Sequence, residues 1–425
     1  MILLSWIQNL KSRSFFSKGL KISIYVFVTS LILGKAAMSI AYGIMVFFFV
    51  GQIISGGKDE FFKFKSSLKD LRFVMKPILI FLAYCFISLL WSHHFNVNLQ
   101  GFGKFFRNFL LIIIIFHTFK SVPDAYRFLQ CLVFSAAFAS VNGLIQYFAR
   151  HDLFLWQDFW GDRVRASFPD PGTFSSYLSL FLPISVALLW SSLREAKKFL
   201  IFSYGMPAIL ITLGLYMSFT KNVFYFLTLT SIFLFFFSEA TKKIKLYTGS
   251  IAYVALLVLF LSVPILSFFI NKLGVPMKER LYLWSFSQKM IQDAPILGHG
   301  LNSYSQIHTR YFPAIENFPG GYRYLYLGYP HNGYLKMWVE IGLMGLILYL
   351  IIYFQILKKL WFEIKKSSND KKVRLLCYAV SFLTFMCSSF FDTFMESTQT
   401  RYALWVVVGA MLIDFKVNQK EEAPT

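Results

Sequence analysis

Two groups of residues in this sequence have the side chains and spacing for chemistry, and both lie in one polar stretch, about 272–336. The first is Gly328-Tyr329-Pro330-His331-Asn332-Gly333-Tyr334, directly before an apolar run that carries Gly342 and Gly345. A histidine titrates near neutrality, so His331 suits a general base or an orienting group; an interfacial histidine also serves simply as a headgroup or backbone partner. The two glycines would allow close helix packing in a membrane. The second group is Glu279–Asp293, whose Leu283, Trp284, Ser287 and Ile291 fall on one face at helical spacing. Trp284 suits an interfacial depth. Pro295 and Gly298-His299-Gly300 end the pattern. Arg280, near its start, could snorkel to lipid headgroups or grip a diphosphate, since a guanidinium pairs with phosphate oxygens through two hydrogen bonds.

Other cations fall between apolar runs. Arg165 lies in Arg163-Val164-Arg165-Ala166-Ser167-Phe168, Lys221 follows Ser218-Phe219-Thr220, and Lys35 separates the first two runs. Arg323, after Gly320-Gly321-Tyr322, is a further loop cation. Each would pass for an ordinary surface charge on its own. The tandem His93-His94 cannot readily chelate one ion, and neither a zinc-protease element nor a Gly-rich phosphate loop occurs. No catalytic metal or other cofactor is therefore suggested. The apolar runs carry no acid near their middles, Glu340 and Asp414 being close to ends, and show no sign of broken helices. Transporters usually place titratable groups at the midplane, so that class is disfavoured.

The elements that must hold these residues are membrane helices. Of the 425 residues 56% are hydrophobic, 20% aromatic and 15% charged, against about 25% charged in soluble domains. Such composition excludes a disordered chain, and the basic surplus is not gathered on a polar face as in a nucleic-acid binder. A spanning helix needs about 20 apolar residues, and twelve runs qualify: 20–34, 36–55, 73–92, 108–119, 126–149, 173–193, 199–217, 221–238, 247–270, 337–357, 375–391 and 402–415. The first, fourth and last are short. Without a cleavage site after the first run, that run is expected to stay as an anchor. With the N-terminus inside, the Lys and Arg residues divide 27 to 15 in favour of the inside, which predicts cytoplasmic termini and an external 272–336 loop between the ninth and tenth runs. Most of the +21 net charge is then a topology signal facing an anionic inner leaflet, while the 272–336 loop itself carries +4. The four cysteines fall within the runs, so no disulfide framework is implied. The expectation is one all-α integral membrane domain over 1–425.

His331-Asn332, nine residues, Gly342, two residues and Gly345 resemble the H-[NSQ]-x9-G-x-x-[GTY] signature of bacterial O-antigen ligases. Arg280-x3-Trp284 followed by Asp293-Ala294-Pro295-Ile296-Leu297-Gly298-His299-Gly300 is similar to that family's long periplasmic loop, and Arg165-Ala-Ser-Phe-x3-Gly172-Thr-Phe is similar to its entry into a middle span. The resemblance covers most of the chain. One departure is Thr220-Lys221 where the family commonly has Ser-Arg; lysine keeps the charge but loses the bidentate fork.

The resemblance implies a GT-C-like glycosyltransferase in the bacterial inner membrane with its site facing the periplasm. It would move a glycan from undecaprenyl diphosphate to a sugar hydroxyl of lipid A–core, inverting and without metal. Arg280 would stabilise the diphosphate, helped by Lys221 or Arg165, and His331 would activate the acceptor. Asn332 would position backbone or sugar, with Trp284 and Arg323 as further substrate contacts and Gly342 and Gly345 as structural residues. The same motifs are shared in part by O-antigen polymerases and protein O-oligosaccharyltransferases, which remain alternatives.

Overall fold

The structure, a computed structural model, describes residues 13–92, 94–237, 275–311 and 329–417. Its regular elements there are helices, with two isolated β-bridges in the loop after residue 150. In chain order they are α1 (Arg13–Ser30), α2 (Lys35–Ser55), α3 (Gly57–Asp70), α4 (Arg72–Ile87), α5 (Phe95–Thr118), α6 (Val122–Ala149), α7 (Pro171–Arg194), α8 (Lys198–Met217), α9 (Lys221–Phe237), α10 (Val275–Asp293), α11 (Tyr304–Ile307), α12 (Gly333–Lys366), α13 (Asn369–Ser388) and α14 (Thr398–Val417). Seven segments are long and apolar enough to cross a membrane: α2, α4 with its short continuation to Trp91, α5, α6, α7, α8 and α12. The described residues form an all-helical, multi-pass membrane protein.

Helices lie over eleven of the twelve apolar runs; the run at 247–270 and Arg323 lie outside the described residues. The short run 108–119 turns out to be the second half of α5. Its first half, Phe95-Asn96-Val97-Asn98-Leu99-Gln100, is too polar to show as an apolar run, yet Asn98 is buried and donates to the His94 carbonyl at 2.8 Å. The Lys-rich α3 was not visible as an apolar run at all.

Phenylalanine is abundant because both faces of the helices use it. Inside, Phe81, Phe105, Phe109 and Tyr349 form a chain of ring contacts that reaches Trp405. Outside, Ile54, Phe148 and Phe199 are more than 70% exposed, which hydrocarbon tolerates and water does not.

The connections alternate between two ends of the bundle. At one end ion pairs link Lys21 to Asp124 (2.8 Å), Arg194 to Asp370 (2.6 Å) and Lys416 to Asp70 (2.7 Å). At the other, the loops 150–170, 218–220 and 389–397 converge on residues 329–333. There the Gly333 N–H donates to the carbonyls of Ser389 (2.8 Å) and Asp392 (3.1 Å), and the Thr220 hydroxyl donates to the Pro171 carbonyl (3.2 Å).

Helix α12 is broken at Gly342 (φ 66°, ψ −179°), a conformation open essentially to glycine alone. The freed backbone groups pair with the segment after α10. His299 and Gly300 N–H donate to the carbonyls of Val339 (3.0 Å) and Glu340 (2.7 Å), and Leu343 and Met344 N–H donate to those of Pro295 (3.0 Å) and Ile296 (3.3 Å). Tyr84 Oη donates to the Ile341 carbonyl at 2.8 Å. This corrects two expectations. Gly342 serves a break in a helix and the docking of the 294–300 segment, not close helix–helix packing; Gly345 makes room beneath the Ile341 side chain of its own helix. A broken helix is also present where none was read.

Candidate active site

His331 stands at the mouth of α12 with φ 49°, in the left-handed region that histidine visits more readily than most residues. The next residue fixes the helix behind it. The Asn332 carboxamide oxygen accepts from the N–H groups of Tyr334 (3.1 Å) and Leu335 (2.9 Å), which makes it the helix cap. Asn332 therefore acts on the backbone.

His331 Nδ1 lies 3.2 Å from Asp392 Oδ1, while its Nε2 is buried with no hydrogen-bond partner among the described residues. A carboxylate at Nδ1 favours the tautomer with its proton there and leaves the Nε2 lone pair available. Burial pushes the Asp392 carboxyl up, but the hydrogen bond from His331, its charge and that of Arg280 outweigh burial and hold it below the usual carboxylate range.

A second carboxylate faces the first. Asp170 caps α7, accepting from Thr173 N (2.8 Å) and Thr173 Oγ1 (2.6 Å). A Cβ on Gly172 would lie 3.0 Å from both Asp170 Oδ1 and Asp392 Oδ2, so the two acids converge over a position where only glycine fits without displacement. Burial, and then the charge of Asp392, raise the Asp170 carboxyl. Tyr329 packs edge-on to His331 with ring centres 5.0 Å apart, and burial beside Asp170 and Asp392 keeps its hydroxyl neutral.

The cations are distributed differently from the sequence expectation. Arg280, on α10, interacts electrostatically with both Asp392 and Arg163. Of Arg163 and Arg165, it is Arg163 that feels the charge of Arg280. Arg163 donates from Nε to the Ser218 carbonyl (2.9 Å) and from Nη2 to Thr220 Oγ1 (2.8 Å), and so holds the turn that leads into Lys221. Lys221 itself is exposed at the first turn of α9, with no ion pair among the described residues. Arg165 turns to its own loop, donating to the carbonyls of Asp158 (3.0 Å) and Pro169 (3.2 Å) beside the Trp160 ring. Trp284 donates its indole N–H to the Pro330 carbonyl at 2.9 Å, which ties α10 to the turn carrying His331. Its face-mates Leu283, Ser287 and Ile291 are buried, as the helical spacing predicts.

One turn further along α12 lies a partly buried charge cluster that sequence reading missed. Lys336 Nζ bridges Glu340 Oε1 and Glu396 Oε1, both at 2.6 Å. Lys104 Nζ donates to Asn302 Oδ1 at 2.6 Å and lies 3.8 Å from Glu396. Arg401 lines the same small cavity. Burial pushes the Glu396 carboxyl up, but Lys336 and Lys104 outweigh it and hold it at about 2. Glu340 also accepts from the Tyr304 N–H (3.3 Å), so the cluster braces both the break in α12 and the 294–311 segment. Among the described residues no group of three His, Cys, Asp or Glu side chains is placed to hold a metal.

Residues 206–350 match the family model described as O-Antigen ligase. Over this stretch the chain is similar to that family. Comparison with whole proteins points the same way over about three quarters of the chain. A Rickettsia felis protein named putative polysaccharide ligase is 26% identical over 333 residues, covering 75% of this chain and 76% of its own. Proteins of the same name from Rickettsia conorii and Rickettsia prowazekii are 25% and 24% identical, covering 73% and 74% of this chain and 73% and 75% of theirs. The O-antigen ligase match contains Lys221, Arg280, Trp284, His331, Gly342 and Gly345. Arg163, Asp170 and Asp392 lie outside it and join the site only through the fold.

Proposed function

We propose that this chain is a glycosyltransferase that moves a glycan from undecaprenyl diphosphate to a sugar hydroxyl of lipid A–core. The reaction would occur on the periplasmic face of the bacterial inner membrane, with both termini of the chain cytoplasmic. The observation that carries the reading is His331, backed by Asp392 at Nδ1 and unpartnered at Nε2, beside the guanidinium pair Arg280 and Arg163. Nε2 takes the proton of the acceptor hydroxyl as its oxygen attacks the anomeric carbon, and Asp392 stabilises the imidazolium that forms. The bond from that carbon to the diphosphate oxygen breaks, and the negative charge growing there is met by Arg280, with Arg163 and Lys221 beside it. The sequence supports orientation through its 27 to 15 bias of basic residues. A single displacement of this kind inverts the anomeric centre.

The reading is tested in cells by replacing His331 with Ala and separating lipopolysaccharide on a gel. The expected pattern is bare lipid A–core at normal protein levels. A persisting O-antigen ladder refutes it, and a single repeat on the core assigns the chain to polymerisation instead.

A further inference from the structure

The loop that leaves α6 folds back along the helix it came from. Arg150 ends α6 in the left-handed region (φ 71°) and reverses the chain. The Leu153 N–H then donates to Asn142 Oδ1 (2.8 Å), and the Phe154 ring packs on Phe138 with ring centres 5.8 Å apart. Phe138 lies roughly 16 Å of helical rise below Ala149, half-exposed on a membrane-spanning helix. Leu155 reaches the turn between α1 and α2, where a Cβ on Gly34 would lie 3.5 Å from its side chain. The backbone of this stretch is satisfied without solvent. The fully buried Asp152 carboxylate accepts from the N–H groups of Phe154 (3.0 Å), Leu155 (3.0 Å) and Gln157 (2.6 Å). The Asp152 N–H and Gln146 Nε2 both donate to the Gln157 carbonyl, at 3.1 and 2.8 Å. The side chains, in contrast, face outward: Leu153, Leu155 and Trp156 are 49%, 42% and 72% exposed, and Trp156 lies on the His151 ring with centres 4.0 Å apart.

We propose that Leu153–Trp156 is a wedge that inserts into the leaflet on the His331 side of the bilayer and so anchors the Arg163–Asp170 segment of the site. Three observations select lipid as the occupant. The tip carries no acid and meets the exposed Phe138 of a spanning helix. Irregular backbone enters a bilayer only with its polar groups paired internally, as they are here. Lys35, next to Gly34, and Arg150, over the Phe159 ring, are exposed cations flanking the tip, the arrangement of an interfacial anchor with apolar residues below the headgroups and basic ones among them. The link to the site is a set of hydrogen bonds. Ser167 Oγ donates to Asp152 Oδ2 (2.6 Å) and accepts from Asn142 Nδ2 (2.8 Å), and Gln146 Oε1 accepts from the N–H groups of Arg165 (2.9 Å) and Ala166 (2.8 Å). Insertion is independent of the proposed reaction; its consequence for glycan transfer rests on that reading.

Spin labels read the depth directly. Protein carrying Cys85→Ala, Cys131→Ala, Cys377→Ala and Cys387→Ala is placed in nanodiscs of phosphatidylcholine and phosphatidylglycerol and shown to keep its melting temperature. Labels are attached through Leu155→Cys, Trp156→Cys and, as a control in the same loop, Asp162→Cys. By power-saturation EPR the ratio of oxygen to nickel-chelate accessibility should be at least fivefold higher at 155 and 156 than at 162. For any label that lowers the melting temperature, quenching of tryptophan fluorescence by brominated lipid gives the same reading, and should be weaker in Trp156→Phe than in wild type. Leu155→Asp should slow transfer at least fivefold at an unchanged melting temperature. Equal accessibility at all three positions, or quenching untouched by Trp156→Phe, overturns insertion; so does shielding of the labels by a soluble oligosaccharide in place of lipid, which would make the tip a glycan contact. Transfer by Leu155→Asp within twofold of wild type overturns the anchoring of the site. Insertion seen in wild-type protein that transfers no glycan leaves the wedge standing and refutes the proposed reaction.

Discussion

Asp392→Asn isolates the partnership behind His331. The substitution keeps the size of the side chain and the backbone carbonyl that receives the Gly333 N–H, but removes the charge facing Nδ1 at 3.2 Å. Both side chains are about four-fifths buried (18% and 20% exposed), so water does not replace the lost interaction fully. A hydrogen bond to a charged group contributes roughly 1.5–3 kcal/mol. If that interaction acts on the imidazolium formed in the transition state, the loss corresponds to roughly 10- to 150-fold in kcat. The effect on donor affinity has the opposite sign. Asp392 partly neutralises Arg280 and Arg163, so its removal should leave the donor KM equal or lower. Steady-state transfer by purified protein, with donor and acceptor varied separately, measures the split. A kcat within threefold of wild type, or a loss expressed only as a raised donor KM, refutes the arrangement.

Three other outcomes follow from the same geometry. Gly342→Ala places a Cβ against the Ile296 carbonyl at a positive φ, and should destabilise by at least roughly 1–3 kcal/mol from backbone strain alone, read as a lower melting temperature in detergent together with lost transfer. Glu396, held at about 2, gives stability that is complete above the unfolded carboxyl value of roughly 4.3 and is lost as pH falls towards 2; Glu396→Gln should therefore lower the melting temperature at neutral pH and flatten its decline between those values. Arg163→Ala should reduce transfer far more than Arg165→Ala, because Arg163 holds the turn before Lys221 and adjoins Arg280 whereas Arg165 binds its own loop; equal losses in the in vitro assay would contradict the assignment.

Much of the helical layout was legible because an apolar run of membrane length has few alternatives. The runs that shifted did so where polar residues are covered by segments distant in sequence: Asn98 in the first half of α5, beside Gly300, is the clearest case. Within the site, His331, Arg280 and Trp284 stood out through spacing, and the structure places Trp284 directly against the His331 turn. Asp392 had no such signal. It is one of two acids in a short connection, 61 residues from its partner, and only the approach of the 389–397 loop to the mouth of α12 gives it meaning. Asp170 carried a cap signature in Asp170-Pro171-Gly172-Thr173, but nothing in that signature announces a facing carboxylate. Gly342 was visible as a motif residue; its φ was not, so docking of the 294–300 segment could not be foreseen.

The most direct measurement of the central claim is glycan transfer in vitro, using purified protein, undecaprenyl-diphosphate-linked glycan and lipid A–core, with wild type and His331→Ala compared at matched melting temperature. The account predicts a lipid A–core product bearing the inverted linkage from wild type and at least a hundredfold slower formation from the variant. Equal rates from the two proteins, or a retained linkage in the wild-type product, would contradict it.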